Sequence, residues 1–133
     1  MSPEERRDIA QGYVSQLFVN NPTLSGLPPD DAALIRSDPL AYARRRIQEL
    51  RRRPPPWPEV ESLFLVACAV HGDRTALLDL LPWLRRPSVS GHELGYFKVL
   101  MFFLPVRYPA AAAWIESHAS TLSWDEAGWT YTA

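Results

Sequence analysis

The sequence has few of the features that identify the structural or functional class of a protein. It holds one cysteine, Cys68, which excludes an internal disulfide, so we expect a reducing compartment. Its six glycines are scattered and form none of the clusters that cradle a phosphate. No stretch approaches the roughly 20 apolar residues that span a membrane. These absences argue against a disulfide scaffold, the common nucleotide-binding loops and a membrane protein.

The chain also lacks a large excess of positive or of negative charge. The formal net charge is -1 and the pI is about 6.3, which gives no general attraction to nucleic acid or to anionic membranes. The first 17 residues carry neither the cationic nor the apolar region of a signal peptide. We therefore expect a cytoplasmic protein with no membrane partner, for which nucleic acid is an unfavoured partner. Because the basic residues are nearly all arginine, and alanine and proline are abundant, the composition is typical of a GC-rich bacterial gene.

Residues that could carry chemistry are few. The three histidines, at 71, 92 and 118, lack the spacing that puts two metal ligands on one helix face, so we predict no metal site and no cofactor. Cys68 and His71 are three residues apart, close to Asp73, and could pair as nucleophile and base. Burial of Cys68 and helix-end roles for His71 and Asp73 explain them without catalysis. We predict a protein that is not an enzyme, with an unrecognised site around Cys68, His71 and His92 as an alternative.

What the sequence does contain is a series of helix signals. With 133 residues and a hydrophobic fraction of 47%, the chain suits one domain with one core. Capping-box pairs and prolines at the first helical position mark helix starts. The capping boxes are Ser2 with Glu5, Ser90 with Glu93, and Ser123 with Glu126; the other starts are Asp38-Pro39 and Pro109. These signals predict an all-α fold of about six helices.

The first half of the chain divides into predicted helices separated by proline-containing segments. Apolar residues at a period near 3.6 predict a first helix to about residue 20 and a second long helix from 38 to 53, with a short helical segment at 30–36 between them. The three prolines after Arg53 end that second helix. We interpret Pro54–Pro58 as a stiff connector within a single domain. It joins a half with net charge +2 to one with net charge -3.

The apolar run Leu63–Val70 predicts a central helix. A buried strand is the rival interpretation, but alanine and leucine outnumber β-branched residues and no partner strand is evident. Gly72 suits the left-handed position after a helix, and Asp73 suits the next N-cap. A leucine-rich helix then returns, and Pro82 either ends it or kinks its last turn.

The portion Glu59–Ala119, through this Gly72-Asp73 link, resembles HEAT-like helical hairpins. The resemblance implies antiparallel hairpins packed as a HEAT-like array or an irregular bundle, and it implies no chemistry.

The second long helix carries a conspicuous run of arginines. Residues 44–46 and 51–53 are all arginine and surround the helix, because each residue turns by about 100°. They are interpreted either as a solvated helix surface or as a polyanion patch of Arg44, Arg45, Arg51 and Arg52. An RNA-binding or polyanion-binding adaptor is therefore an alternative function.

Aromatic residues give the other lead, since tryptophan is a frequent interface anchor. The tail 123–133 holds Trp124 and Trp129, which either fold back over the helices or face a partner. The candidate interface residues are Trp57, Asp73, Asp79, Trp83, Glu93, Trp124, Asp125, Glu126 and Trp129. A compact helical chain with an acidic second half is similar to small bacterial immunity proteins. We therefore predict a non-catalytic interaction protein, an immunity-type or antitoxin-type inhibitor whose partner is a toxin or enzyme.

Overall fold

The computed structural model describes residues 1–20, 29–56, 58–86 and 89–133, and the side chains of all of these except 17–20. The predicted all-α fold is confirmed, with a two-stranded sheet added at the end. The helices are α1 (Pro3–Asn20), α2 (Pro29–Ser37), α3 (Pro39–Arg52), α4 (Val60–Ala69), α5 (Arg74–Asp79), α6 (Leu81–Leu84), α7 (Gly91–Leu100) and α8 (Tyr108–Ser117). A 3₁₀ turn, Met101–Phe103, follows α7, and strands β1 (Ser123–Asp125) and β2 (Thr130–Thr132) complete the fold.

Most of the helix starts predicted from capping residues are confirmed. The Ser2 hydroxyl accepts from the Glu5 backbone N–H at 3.1 Å, and the Glu5 carboxylate accepts from the Ser2 N–H at 3.2 Å. Asp38 accepts from the Ala41 N–H at 3.1 Å and so caps α3. The Ser90 box at the start of α7 is also complete. Local hydrogen bonds therefore set where these helices begin.

Helix α4 lies at the centre of the core. Every residue from Ser62 to Ala69 is buried, which confirms the helical interpretation of the apolar run. Helices α1, α3, α5 and α7 all contact α4. Because an all-apolar helix exposes no polar face, it is stable only when other elements surround it. The buried hydrophobic residues accordingly form one cluster that extends from α1 to β2.

The link from α4 to α5 follows the predicted pattern. Gly72 has a φ of +94°, the left-handed conformation that favours glycine, and Asp73 caps α5 by accepting from the Ala76 N–H at 3.2 Å. Glycine is needed here for a second reason. A Cβ at Gly72 would lie 2.8 Å from Cδ1 of Trp124, so the ring packs where a side chain would be.

The structure refines one predicted detail and contradicts another. The returning helix is divided into α5 and α6 around Leu80, because Pro82 has no N–H to donate to Leu78 and occupies the first turn of a new helix. Ser123 and Glu126 form no capping box. Ser123 begins β1, which pairs antiparallel with β2 so that Trp124 faces Tyr131.

Within the described ranges, no single helix combines the length and the apolar composition needed to cross a bilayer. In the same ranges one pair of helical segments, Gly91–Phe103 and Tyr108–Ser117, meets both criteria together, with a bend of 56° between the two.

Replacing Gly72 by alanine is expected to destabilise the protein by about 1–3 kcal/mol. The substitution forces an L-residue into positive φ and pushes the new methyl group against Trp124. The measurement is the free energy of unfolding from urea denaturation monitored by circular dichroism.

Gly95→Ala is the matched control. Gly95 lies exposed within α7, and a Cβ there meets nothing within 4 Å. The same methyl group should stabilise the protein by about 0.5–1 kcal/mol, since alanine has the higher helix propensity. Equal effects at both glycines would contradict the role given to Gly72.

Candidate functional site

The structure pairs most of the predicted arginine patch with internal carboxylates. Three of its four members form ion pairs that join α3 to other elements. These pairs are Arg44 with Asp73 at 3.4 Å, Arg45 with Asp31, and Arg51 with Glu61 at 2.6 Å and Asp79 at 3.0 Å. Arg52 is exposed and, among the described residues, has no carboxylate within 4 Å. The four side chains therefore do not present one unpaired cationic stripe.

Hydrogen bonding to carboxylates defines the electrostatics of this helix. The bond to Asp31 raises the pKa of Arg45, and the bond to Glu61, with a further one to Asp79, raises the pKa of Arg51. Both guanidinium groups remain charged, but their nearest partners are already within the chain. A polyanion would have to displace these carboxylates, which lowers the support for an RNA-binding adaptor through this helix.

A groove beside Arg51 brings two of the predicted interface residues together. It has a volume of about 370 Å³. The lining residues are Arg51, Glu61, Leu78, Asp79, Pro82 and Trp83. We call this surface the Trp83 groove. Trp83 is half-buried, and the guanidinium of Arg86 lies 4.6 Å from the centre of its ring. This cation–π contact holds the indole ring in position. The ring lies in the lining of the groove.

Two other acidic candidates have structural roles. Asp73 caps α5 and pairs with Arg44. Glu93 is only 3% exposed, caps α7 and pairs with Arg86 at 3.3 Å. Burial leaves the Glu93 carboxylate with no surface to offer a partner. The capping box, which draws this carboxylate back onto the backbone, therefore accounts for Glu93 without a partner.

The C-terminal aromatics fold back over the helices. Trp124 contacts Phe103, Trp129 and Tyr131, with its ring centre 4.8 Å from that of Tyr131. Trp129 has a φ of +55° and packs edge-on against His71 at 5.4 Å between ring centres. Such a φ is strained for a bulky residue, so packing must hold it. The two tryptophans therefore act mainly as core-covering residues.

The acidic candidates in this tail stay on the surface. Asp125 and Glu126 are exposed at the end of the β1–β2 hairpin, and Asp125 accepts from the Ala127 N–H at 3.1 Å. That bond is an Asx-type turn contact, which explains Asp125 locally. Neither carboxylate lines the Trp83 groove.

Long-range hydrogen bonds attach the hairpin and the segment before it to the helices. The Tyr131 hydroxyl donates to the Ala69 carbonyl at the end of α4 at 2.6 Å, and Thr130 donates to the Phe103 carbonyl at 2.9 Å. Two arginine side chains complete the attachment. They are Arg6, which donates to the Gly128 carbonyl at 2.9 Å, and Arg74, which donates to the Leu122 carbonyl at 2.8 Å.

Cys68 and His71 do not form an activated pair. Burial raises the pKa of the Cys68 thiol to about 12, the opposite of what a nucleophile needs. The His71 Nδ1 lies 3.1 Å from the Ala67 carbonyl, and burial lowers the pKa of this histidine. His92 is exposed in the first turn of α7. The geometry gives the enzyme alternative no nucleophile at Cys68.

The described part of the chain holds no group of three or more histidine, cysteine, aspartate or glutamate side chains that could bind a metal ion. Trp57, a predicted interface residue, lies outside the described residues, as do 21–28 and 87–88.

Comparison with known proteins adds no identification. No protein-family model, no curated protein and no solved structure matches this chain.

Sequence reasoning missed the hairpin and the pairing of Arg51. Thr130, Tyr131 and Thr132 alternate polar and apolar side chains after Gly128, which is a strand signal that could have been recognised. The ion pairs had no comparable signal. Arg51 and Asp79 are 28 residues apart, and they meet only because α3 and α5 both pack against α4.

Tyr131→Phe tests the attachment of the hairpin. It removes the buried hydrogen bond to Ala69 while keeping the ring, and should lower the free energy of unfolding by about 1 kcal/mol. Tyr108→Phe is the matched control, because the Tyr108 hydroxyl has no hydrogen-bond partner in the described part of the chain. It should change stability by less than about 0.5 kcal/mol. Equal losses in urea denaturation would count against the Ala69 bond.

Thiol alkylation tests the assignment of Cys68. At pH 8 the folded protein should not react with iodoacetamide, because the thiol is buried and its pKa is raised to about 12. In concentrated guanidinium chloride it should react completely, as mass spectrometry will show. Reaction in the folded state at the rate of a free peptide thiol would restore Cys68 as a candidate nucleophile.

Proposed function

We propose that this protein is a non-catalytic protein–protein interaction module, an immunity-type or antitoxin-type inhibitor that binds a partner toxin or enzyme through the Trp83 groove. The single observation that supports this proposal is the groove itself, in which tryptophan, arginine and two carboxylates line one concave surface. Tryptophan and arginine dominate the energetics of protein interfaces, because each buries a large area and retains a polar group.

The shape of the groove suits an anchoring side chain. Leu78, Pro82 and Trp83 supply apolar surface, and its volume of about 370 Å³ is near the lower end of the roughly 300–1,000 Å³ typical of ligand pockets. A groove of this size accepts one or two side chains of a partner. The ring of Trp83 is held in place by Arg86, so little side-chain entropy remains to be lost on binding.

The charge of the groove indicates the chemistry of the partner. Arg51 is matched by two carboxylates, Glu61 and Asp79, which leaves one negative charge in excess. An apolar anchor beside a lysine or arginine would complement this surface. Nucleic-acid-binding toxins present basic surfaces of that kind, and an inhibitor could occupy them with carboxylates such as Asp79.

Photo-crosslinking tests the proposal in the native host. A benzophenone amino acid placed at Pro82, an exposed groove position, should give a crosslink to one discrete protein. The same amino acid at Gly12, an exposed position on α1 where a Cβ meets nothing within 4 Å, should give no such product. Equal yields from both positions, or no product from Pro82, would refute binding at the groove.

Truncation of Trp83 tests how much this side chain contributes to the affinity for the partner. Trp83→Ala should weaken capture of the crosslinked partner about tenfold or more, as expected for an interface anchor. Trp114→Ala removes another half-buried tryptophan, one that does not line the groove, and should leave capture within twofold. Thermal melting of both variants separates lost binding from lost folding.

A further inference from the structure

A second concave surface lies at the C-terminal end of α3. We call it the Arg52 cleft. Its volume is about 540 Å³, and it shares no lining residue with the Trp83 groove. The lining residues are Arg46, Glu49, Leu50, Arg52, Arg53 and Pro55. The cleft is therefore rich in arginine and has an apolar portion.

The structure distinguishes the arginines of this cleft from the paired ones. Arg52 and Arg53 are both exposed, and across the described ranges neither lies within 4 Å of a carboxylate oxygen. Glu49 is the acidic residue in the lining, and it already pairs with Arg46 at 2.7 Å and with Arg45 at 3.5 Å. Its charge is thus offset, which leaves the cleft with two guanidinium groups that have no carboxylate partner among the residues that the structure describes.

The walls of the cleft are fixed by the end of the helix. The Arg53 backbone N–H donates to the Glu49 carbonyl at 2.9 Å and closes the last turn. Pro54 cannot continue the helix. Pro55 lines the cleft, and its ring restricts the backbone there. Arg46 is held between Glu49 and the ring of Phe64, 6.0 Å from the ring centre.

The partial negative charge at the C-terminus of α3 repels an anion, but only weakly. A helix C-terminus carries roughly half an elementary negative charge, whereas Arg52 and Arg53 contribute two positive charges. The local balance therefore remains cationic. Guanidinium groups present parallel N–H donors that match the oxygens of a phosphate, and they bind phosphate in preference to less charged groups.

We infer that the Arg52 cleft binds a small phosphorylated molecule. Arg52 and Arg53 donate to the phosphate oxygens, and the apolar part of the molecule contacts Leu50 and Pro55. A volume of about 540 Å³ is in the range of small-molecule sites, roughly 300–1,000 Å³, and exceeds what a phosphate group alone would fill.

Isothermal titration calorimetry of the full chain at low ionic strength tests the inference, with phenyl phosphate and inorganic phosphate as probes. Phenyl phosphate should bind saturably with one site per chain, and inorganic phosphate should bind more weakly because it leaves Leu50 and Pro55 uncovered. The double variant Arg52→Ala, Arg53→Ala should lower the affinity for phenyl phosphate about tenfold or more.

The control variant removes the same charge elsewhere. Arg36 and Arg107 are exposed and line neither concave surface, so Arg36→Ala with Arg107→Ala should leave the affinity within twofold. Circular dichroism checks that each variant folds, and the single variants Arg52→Ala and Arg53→Ala replace the double variant if it does not.

Three results would overturn the inference. The first is no saturable binding of either probe, which would leave Arg52 and Arg53 as charges that stabilise the helix end. The second is an equal loss of affinity in the control variant, which would indicate general charge attraction. The third is binding of a random RNA oligomer alone, which would indicate a polyanion surface in place of a small-molecule site.

Discussion

The structure depends on the burial of Ser62–Ala69, the greater part of α4. Such an apolar stretch of helix is stable in water only if other elements cover it, and α1, α3, α5 and α7 all contact α4. Two tyrosines reinforce this arrangement from opposite ends of the sequence. Tyr13 donates to the Leu63 carbonyl near the start of α4, and Tyr131 donates to the Ala69 carbonyl at its end. Each contributes ring area to the core and brings its hydroxyl to a backbone acceptor.

The end of α4 also explains the C-terminal hairpin. Because Gly72 has no side chain, the position that a Cβ would occupy at this turn is free, and the ring of Trp124 packs there. Trp129 then packs against His71 despite its positive φ. A small domain has few residues with which to cover its core, so ten residues with three large aromatic rings make a substantial contribution. The tail is thus part of the folding unit.

The way the arginines of α3 are paired determines which surfaces are available for binding. Pairing of Arg44, Arg45 and Arg51 with carboxylates from other elements joins α3 to its neighbours and offsets their charges locally. One face next to this helix is the Trp83 groove, with a slight acidic excess, and another is the Arg52 cleft, with a cationic excess. One helix end thereby contributes to two surfaces of opposite charge, although the whole chain is nearly neutral.

The sequence by itself determined the helices, because the signals for helix starts and ends are local. Ser2, Asp38 and Ser90 each bond to a residue three positions along the chain, and the apolar period requires no knowledge of neighbours. Tertiary structure alone decided the candidate sites. The contacts of Arg51 with Asp79 and of Tyr131 with Ala69 span 28 and 62 residues, so they form only when packing brings separate elements together. Which arginines are paired, and which carboxylates stay exposed, follows from that packing and from no pattern along the chain.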